Sequence, residues 1–191
     1  LAGVHWAYFA AVITGAVEGP WTPLYLNGGL YRQARPGAAW RSASDFDGAK
    51  DILEVLTDPA DSTHWFAASW GGGVLEFRAN TLYRRWTVSN SSLRAANGAG
   101  PNDVRCGGLA WGDDGALWVT NSLSDVPLHR YDPSSETWQG YAVGALNGQA
   151  VRRITKAENG DFWVQTRTAG IVTVRVVGGA ASARSLSAGT G

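Results

Sequence analysis

The sequence is short of the residues on which redox, metal and membrane functions depend. Among its 191 residues there is one cysteine, Cys106, so no internal disulfide can form, and its strand-like surroundings predict a buried thiol. The three histidines, His5, His64 and His129, have no second His or Cys at the spacing of a metal site. No apolar run approaches the roughly 20 residues that cross a bilayer. We therefore expect no metal, no cofactor and no membrane-spanning segment here.

Charge is also scarce, and it is balanced. Charged residues make up 17% of the chain, and sixteen basic and sixteen acidic side chains leave a formal net charge of zero. A nucleic-acid ligand normally requires a basic excess, because Lys and Arg neutralise its phosphates. We therefore expect no nucleic-acid partner. Methionine is absent from every position, so we expect the natural protein to carry residues before position 1, where a signal peptide would lie.

What the sequence does contain is apolar and repetitive. Apolar residues make up 45% of the chain, and tryptophan occurs ten times. The stretches LAWGDDGALWVT (109–120) and ITKAENGDFWVQ (154–165) share an apolar strand, an Asp-Gly or Asn-Gly turn and an aromatic strand. Their tryptophans, Trp118 and Trp163, are 45 residues apart. This interval is typical of one blade of a β-propeller, which takes about 40 to 50 residues.

Four repeat units can be aligned, at about residues 1–44, 45–101, 102–149 and 150–177. Each unit consists of short predicted strands joined by turns, without helical periodicity. The Asp-Gly and Asn-Gly turns predict two-residue hairpins with positive φ at both central positions. The outer strands of the first three units are expected to close on Trp40, Trp86 and Trp138, at intervals of 46 and 52 residues.

The repeats predict an all-β fold, a β-propeller built of four-stranded antiparallel blades. About four blades are present, and because propellers usually close with about four to eight, we expect them to form part of a larger propeller. The aromatic residues of the second strands should pack between neighbouring sheets. Residues 178–191 are small and polar without a period, so we expect a flexible tail there.

Two pairs of neighbouring carboxylates are candidates for acid and base chemistry. Asp58 with Asp61, and Asp113 with Asp114, both lie in predicted turns. Paired carboxylates can divide acid and base roles when their environments separate their pKa values. Aspartates in turns, however, commonly hydrogen-bond their own backbone. We therefore favour structural roles and assign no catalytic residue.

Glycine and arginine give two further candidates. In SWGGGVLEF (69–77) three glycines follow Trp70, which allows a sharp turn or the approach of a ligand to the main chain, with nearby aromatics available to stack on sugars. Fourteen of the sixteen basic residues are arginine, including the neighbours 84–85 and 152–153. Neighbours in a strand point to opposite faces, so each pair places one guanidinium on a side. No cofactor-binding or metal-binding residue is assigned, and the ligand-binding residues stay unknown.

Parts of the chain resemble known repeats. VRCGGLAWGDDGALWVTNSLSDVPLHRYD (104–132) and VRRITKAENGDFWVQTRTAGIVTV (151–174) are similar to the two-component-regulator propeller repeat, in which D-x-x-G-x-aromatic-W-V lies between apolar strands. The order of DPADSTHWFAASWGGGVLEF (58–77), VSNSSL (88–93), residues 104–122 and PLHRYDPSSETW (127–138) resembles the PorZ-like propeller proteins of the type IX secretion system.

The second resemblance implies a non-catalytic interaction module rather than an enzyme. Such proteins combine two propellers with a C-terminal secretion domain and work beside a sortase that attaches cargo to anionic lipopolysaccharide. The resemblance implies protein partners in a surface secretion and attachment complex, lipopolysaccharide as a ligand, and export to the cell surface or periplasm of a Gram-negative bacterium. No contact residue for the glycolipid can be transferred.

Two other functions stay open at this point. The generic repeat also occurs in the sensory propeller domains of hybrid two-component histidine kinases. A propeller polysaccharide lyase or glycosidase would need carboxylates, His or Tyr from several blades to converge at one end of the central channel.

Overall fold

The fold is all-β, as predicted. The computed structural model describes residues 5–8, 30–33, 35–43 and 46–186. Within these residues the regular elements are fifteen strands and one short 3-10 helix, Gly144–Leu146. In the part of the chain that is described, no helix is long and apolar enough to cross a membrane.

The strands form four sets in chain order, which we number as blades 1 to 4. Blade 1 contains β1 (His5–Tyr8), β2 (Leu30–Gln33) and β3 (Arg41–Ala43). Blade 2 contains β4 (Ile52–Thr57), β5 (Trp65–Gly71), β6 (Gly73–Arg78) and β7 (Thr81–Trp86). Blade 3 contains β8 (Val104–Trp111), β9 (Leu117–Asn121), β10 (Leu128–Asp132) and β11 (Thr137–Tyr141). Blade 4 contains β12 (Val151–Lys156), β13 (Phe162–Thr166), β14 (Ile171–Val177) and β15 (Ala180–Leu186).

Each blade is an antiparallel meander of consecutive strands. Blades 2 and 3 are also joined to each other, because β5 continues past its own hairpin and pairs with the start of β8 through Trp70–Arg105 and Gly71–Val104. Antiparallel strands in chain order need only short turns, which the sequence supplies between every apolar run. The predicted four-stranded antiparallel blade is confirmed in blades 2, 3 and 4.

The predicted flexible tail is wrong for residues 180–186. These residues form β15, which pairs with β14 at every position from Ile171–Leu186 to Val177–Ala180. The connection is the pair Gly178 and Gly179, with φ of 57° and 83°, and glycine adopts such angles without steric cost. The sequence AASARSL lacks apolar alternation because β15 is a mostly exposed outer strand, in which only Ala181 and Leu186 are partly buried.

The predicted turn geometry is also wrong in part. Gly115 and Gly160 have φ of 74° and 82°, but Asp114 and Asn159 are not in the positive-φ region. The amide of Gly115 donates to the carbonyl of Gly112 at 3.2 Å, and Gly160 donates to Ala157 at 3.1 Å. Each corner is therefore a four-residue turn that ends in a left-handed glycine, so one glycine per corner is sufficient.

Three apolar clusters lie between successive blades. Phe66 of blade 2 packs edge-on against Trp111 and Tyr131 of blade 3, with ring centroids 5.7 and 5.9 Å apart. Trp118 of blade 3 packs against Phe162 of blade 4 at 4.7 Å. The prediction that second-strand aromatics pack between sheets is confirmed at these two junctions. Burial of each such ring removes about 150 to 250 Å² from water, so these contacts are a major part of the core.

The first strands of blades 3 and 4 approach closely because β8 carries two glycines. A Cβ on Gly107 would lie 2.5 Å from the carbonyl oxygen of Val151, and one on Gly108 would lie 2.7 Å from the amide nitrogen of Ile154. Both distances are shorter than real Cβ contacts. The tight packing of these inner strands therefore requires glycine at both positions.

The expected closing tryptophans are not equivalent. Trp86 lies opposite Val74 at the far end of β7, whereas Trp138 lies opposite Tyr131 near the start of β11. Tyr141, opposite Leu128, is the residue of blade 3 that corresponds to Trp86. In blade 1, Trp40 precedes β3 and is exposed. The intervals between these tryptophans therefore do not measure the repeat, because aromatic residues occupy several different positions of the outer strand.

Candidate functional site

Two surface features arise from the packing of the blades, an exposed blade face and a cavity. The exposed blade face is identified by comparing one register position in blades 2, 3 and 4. Phe66, Trp118 and Trp163 are each the second residue of the second strand, and each points toward the position of the following blade. Phe66 and Trp118 are 0% and 5% exposed, whereas Trp163 is 46% exposed. The described residues therefore leave uncovered, in blade 4, a position that is buried in blades 2 and 3.

We call this uncovered surface of blade 4 the open face. It forms a concavity of about 560 Å³ and includes Arg153, Thr155, Trp163, Gln165 and Ile171. Its centre is apolar and its margins carry amide, hydroxyl and guanidinium groups. An apolar centre with a polar margin is typical of an interaction surface.

The second feature is a cavity at the glycine corner, Gly71–Gly72–Gly73, which joins β5 to β6. The cavity measures about 450 Å³ and lies between this corner, the segment before β4 and the segment before β8. Its lining includes Lys50, Arg85, Asn102 and Asp103. The residues of the glycine motif that sequence analysis singled out therefore do line a concave site.

Hydrogen bonds fix the wall of this cavity. The hydroxyl of Ser69 donates to the carbonyl of Lys50, and the amide of Gly72 donates to that hydroxyl at 3.1 Å. The amide of Trp70 donates to the carbonyl of Asp51 at 3.0 Å. A Cβ on Gly72 would lie 2.6 Å from Cβ of Ala49, so only glycine allows the corner to close on the segment before β4. These hydrogen bonds thus fix the conformation of the backbone that bounds the cavity.

The corresponding corner of blade 3 is built differently. It runs through residues 122–127, and its backbone bonds the segment before β12: the amide of Leu123 donates to Gln149 at 2.8 Å, and that of Gly148 donates to Ser124 at 3.0 Å. Ser122 and Ser124 are buried there. At the junction of blades 2 and 3 the short glycine corner carries no side chains. The two corners therefore differ in length and composition, and the glycine corner is the one that lines the cavity described above.

The charged side chains around the cavity differ in how completely neighbouring groups neutralise them. Asp103 accepts two hydrogen bonds from Arg105, at 3.1 and 2.8 Å. Arg85 donates to the carbonyl of Asp47, whose carboxylate lies 3.7 Å away. Lys50 is exposed and makes no ion pair within the described residues. The cavity therefore presents two cationic groups. The ammonium of Lys50 has no ion pair within the described residues, and the guanidinium of Arg85 is only partly hydrogen-bonded.

Trp70 does not stack on ligands in this arrangement. It is 4% exposed, and Trp65 and Phe77, the other aromatics of this stretch, are 1% and 2% exposed. Trp65 and Phe77 stack on each other at 3.6 Å. The expectation of exposed aromatics beside the glycine corner is wrong, because all three rings are buried, Trp65 and Phe77 in the core between blades 1 and 2.

The most elaborate polar site is a buried carboxylate, Glu76 of β6, at the junction of blades 2 and 3. Its Oε1 accepts hydrogen bonds from His64 at 3.1 Å and from Arg78 at 2.8 Å. Its Oε2 accepts from Trp86 at 2.8 Å and from Tyr131 of blade 3 at 2.9 Å. Glu76 is 0% exposed. A buried carboxylate with this many donors is satisfied, so it stabilises the junction rather than offering a free base.

The pKa values of this site follow from its hydrogen bonds. Burial alone would raise the pKa of Glu76, but the bonds from His64, Trp86 and Arg78 outweigh burial and lower it. The bond to Glu76 is the main cause of the raised pKa of His64, whose other ring nitrogen lies 2.9 Å from Asp58. Arg78 also pairs with Glu136 of blade 3 at 2.9 Å. The geometry thus favours a protonated His64 between two carboxylates.

The histidines do not occupy matching strand positions. His64 precedes β5, the second strand of blade 2, whereas His129 lies in β10, the third strand of blade 3. Burial lowers the pKa of His129 to about 4. Its Nδ1 accepts from Ser92 at 2.8 Å and its Nε2 donates to the carbonyl of Val126 at 2.8 Å. The side chain of His5 lies outside the described part of the chain.

Metal and thiol chemistry find no support in the described residues. These contain no cluster of three or more His, Cys, Asp or Glu side chains that could hold a metal ion. Cys106 is completely buried, and burial raises the pKa of its thiol. The predicted burial of this cysteine is confirmed.

The carboxylate pairs have structural partners. Asp58 accepts from the amide of Ala60 at 2.8 Å, besides its bond to His64. Asp61 accepts from both the amide and the hydroxyl of Thr63, at 2.8 and 2.7 Å, and these bonds lower its pKa. The structural interpretation of this pair as turn residues therefore agrees with the geometry.

The second pair and the arginine neighbours behave similarly. Asp113 pairs with Lys156 at 2.6 Å, and Asp114 accepts two bonds from Arg130, at 2.9 and 2.7 Å. Arg84 pairs with Glu136 of blade 3, whereas Arg85 faces the opposite way, toward Asp47. Arg152 is partly buried, which lowers its pKa. These charges link neighbouring segments.

Sequence reasoning missed Glu76 and Lys50. Glu76 lies in GVLEFR, where a single acidic residue in an apolar third strand is the available signal of a buried polar site. Lys50 is one of two lysines in the chain, and its rarity is the only sequence signal that sets it apart.

Comparison with known proteins gives similarity at the level of structure alone. No protein-family model matches the chain, and no curated protein matches it significantly. PorZ, an essential surface component of the type IX secretion system of Porphyromonas gingivalis, superposes with a TM-score of 0.68 at 22% identity over 79% of this chain. The chain spans 22% of PorZ, about a fifth of its length.

Two other structures share the same architecture. The extracellular domain of a hybrid two-component system from B. thetaiotaomicron has a TM-score of 0.61 at 12% identity, covering 85% of this chain and 20% of that one. A catalytically inactive virginiamycin B lyase from Staphylococcus aureus has a TM-score of 0.63 at 10% identity, covering 98% of this chain and 61% of that one. The predicted resemblance to PorZ and to two-component propeller domains is thus confirmed as a likeness of fold, and the chain is part of a β-propeller.

Proposed function

We propose that the chain is a non-catalytic interaction module of an exported protein, at the cell surface or in the periplasm of a Gram-negative bacterium. The observation that carries this proposal is the open face, where Trp163 is 46% exposed although its counterparts Phe66 and Trp118 are buried. Exposure of a large aromatic at a packing position favours a further sheet of the same protein over it, and hence a chain that acts as one part of a larger propeller module. The fold likeness to PorZ supports a place in a secretion and attachment complex.

The occupant of the open face is a further four-stranded β-sheet of the same repeat. Blades 2 and 3 bury the same register positions under the sheet that follows them. Arg153 and Arg184 lie on the open face, so its partner presents carboxylates or carbonyls at the margin and an apolar side chain against Trp163. This arrangement continues the interface that already joins blades 3 and 4.

A labelling experiment tests this surface. Because Cys106 is buried, a cysteine introduced by Gln165→Cys can be labelled selectively by a maleimide, with Ser134→Cys on an exposed turn as the control. Both sites should react rapidly in the 191-residue chain. In the full-length natural protein Gln165→Cys should be protected while Ser134→Cys still reacts. Equal reactivity of both sites in the full-length protein would contradict the proposal.

The proposed ligand is anionic lipopolysaccharide, as implied by the resemblance to PorZ-like proteins. The net charge of zero means that attraction must come from a local group of cations rather than from the whole surface. Lys50 and Arg85 at the glycine corner form such a group. Binding of the chain to immobilised, purified anionic lipopolysaccharide, compared with a neutral polysaccharide, tests this part. No preference for the anionic form would remove lipopolysaccharide from the proposal.

Two alternative functions each have a specific structural observation in their favour. The likeness to an extracellular domain of a hybrid two-component system favours a sensory propeller. A transmembrane helix and a kinase domain in the flanking sequence would establish that alternative. The likeness to virginiamycin B lyase favours a propeller enzyme, such as a polysaccharide lyase or glycosidase. Turnover of any member of a polysaccharide panel would overturn the non-catalytic assignment.

A further inference from the structure

We propose that the cavity at the glycine corner is a binding site for a single oxyanion, a phosphate or carboxylate group carried on a saccharide. The site consists of Lys50, Arg85 and Asn102 around the backbone of Gly71 and Gly72. It deepens the proposed function and rests on it for the source of the anion, since it gives the charged group of a surface glycolipid a defined location.

The two cations of the cavity, Lys50 and Arg85, are not fully neutralised by the described residues. Lys50 has no carboxylate partner within the described residues, so binding of an anion breaks no existing ion pair. Arg85 donates through one terminal nitrogen to the carbonyl of Asp47, and its other terminal nitrogen makes no hydrogen bond within the described residues. The guanidinium therefore keeps donor capacity for an oxyanion, which it binds in a fixed planar geometry.

The acidic residues at the cavity are Asp103 on its lining and Asp47 beside Arg85. Asp103 lines the cavity, but its two oxygens are both engaged by Arg105. The carboxylate of Asp47 lies 3.7 Å from Arg85, and because it is 67% exposed, solvent screens this pair strongly. An entering anion therefore meets two positive charges and no free carboxylate on the lining.

Gly71 and Gly72 form one wall of the cavity. Side chains are absent from Gly71 and Gly72, and a Cβ on Gly72 would lie within 2.6 Å of atoms of Ser69 and Ala49. The corner therefore packs closely on Ser69 and Ala49, and the partly exposed Gly71 lines the cavity without a side chain. A volume of about 450 Å³ accommodates a monosaccharide bearing one anionic group, and Asn102 supplies an amide for its hydroxyls.

The two lysines of this chain allow a direct test. Reductive methylation with 13C labels Lys50 and Lys156 and keeps their charge, and Lys156 is an internal control because it is paired with Asp113 at 2.6 Å on another blade. Inorganic phosphate, glucose 1-phosphate and glucuronate are titrated to about 20 mM, with methyl glucoside as the neutral probe. We expect saturable shifts of the Lys50 signal with the anions, and no response of Lys156.

Substitutions make the expected effect quantitative. Lys50→Gln should weaken binding of glucose 1-phosphate about tenfold, the effect of losing one charge-assisted hydrogen bond, as measured by calorimetry. Lys156→Gln should leave the affinity unchanged. Equal shifts of both lysine signals, or no shift of either, would overturn the proposal. Comparison of glucose 1-phosphate with glucuronate distinguishes phosphate from carboxylate as the natural group.

Failure of the site and failure of the proposed function are distinguishable. Lipopolysaccharide binding that survives Lys50→Gln unchanged, with no response of Lys50 to small anions, overturns the site and leaves the proposed ligand in place. Saturable binding of small anions at Lys50 without any binding of lipopolysaccharide supports the site and removes lipopolysaccharide from the proposed function.

Discussion

Trp118 and Trp163 occupy the same register position of consecutive sheets, but within the described residues only Trp118 is covered by a following sheet. Trp118 lies opposite Ala110 and Arg130, and Trp163 lies opposite Thr155 and Thr173. Phe162 packs against Trp118, with ring centroids 4.7 Å apart. One repeated residue thus serves as core in blade 3 and as exposed surface in blade 4.

The first prediction compares these two residues by truncation. Trp118→Ala should lower the free energy of unfolding by about 3 to 5 kcal/mol, because it leaves a cavity between two sheets. Trp163→Ala should cost less than about 1 kcal/mol in the 191-residue chain, since much of that ring is already in water. Urea unfolding measures both. A similar loss for the two variants would show that Trp163 is already covered in this chain.

The second prediction concerns the buried carboxylate. Glu76→Gln should destabilise the chain by about 3 kcal/mol, because the amide cannot accept all four hydrogen bonds and leaves Arg78 without its buried partner. Glu136→Gln removes the exposed partner of the same arginine and should cost less than about 1 kcal/mol. Thermal unfolding of both variants at one pH gives the comparison. A neutral Glu76→Gln would remove this network from the stability of the junction.

The third prediction is a pH dependence from His64. Its pKa in the folded state is raised, mainly by the bond to Glu76, so its contribution to stability is fully present below its unfolded pKa of about 6.5 and is lost as pH rises through the folded value. The lowered pKa of Glu76 keeps that carboxylate ionised at pH 5.5, a value about one unit above its ordinary range.

The measurement compares the natural chain with His64→Gln across this range. The difference in free energy of unfolding should be about 1 kcal/mol at pH of roughly 5.5 and should shrink as the pH rises above the unfolded pKa and through the folded one. A difference that stays constant, or that grows with pH, would contradict a protonated His64 in the fold.

The fourth prediction tests the close approach of β8 and β12. Gly108→Ala should cost about 1 to 3 kcal/mol, because its methyl group would overlap the backbone of Arg153 and Ile154. Gly100→Ala has open space at the equivalent atom and should change stability by less than about 0.5 kcal/mol. Chemical denaturation of the two variants provides the test, and equal costs would disprove the steric explanation.

The fifth prediction concerns Cys106. Its complete burial and raised pKa should make the thiol unreactive toward a disulfide reagent under native conditions. Reaction should become rapid only across the urea unfolding transition. Fast labelling of the native chain would place this strand, and hence the junction of blades 2 and 3, in a more open state.

Much of the fold could be predicted from the sequence because its signals are local. The apolar strand, turn and aromatic strand predicted in residues 109–120 and 154–165 are present as the ends of β8 and β12 followed by β9 and β13. Strand β15 could not be predicted, since an exposed outer strand buries too little to require an apolar period. The geometry of the corners differed because a single glycine was enough to form the turn.

The candidate sites were less predictable because they depend on distant residues. Glu76 meets Tyr131 across 55 residues, and no pattern within either strand indicates that bond. The three glycines indicated backbone freedom, but the cavity also requires Lys50 and Asn102 from segments that flank other strands. Exposure of aromatics near the glycines was inferred from composition, and packing against blade 1 reversed it.

The bond between Glu76 and Tyr131 has a consequence for how such repeats can be rearranged in evolution. Val174 of blade 4 holds the position that Tyr131 holds in blade 3. In a rearranged chain in which blade 4 followed blade 2, the carboxylate of Glu76 would therefore face an aliphatic side chain. Duplication or recombination of modules at this junction would therefore be penalised unless a hydroxyl donor came with the incoming module. The hydrogen bond between Tyr131 and Glu76 thus restricts which blade can follow blade 2.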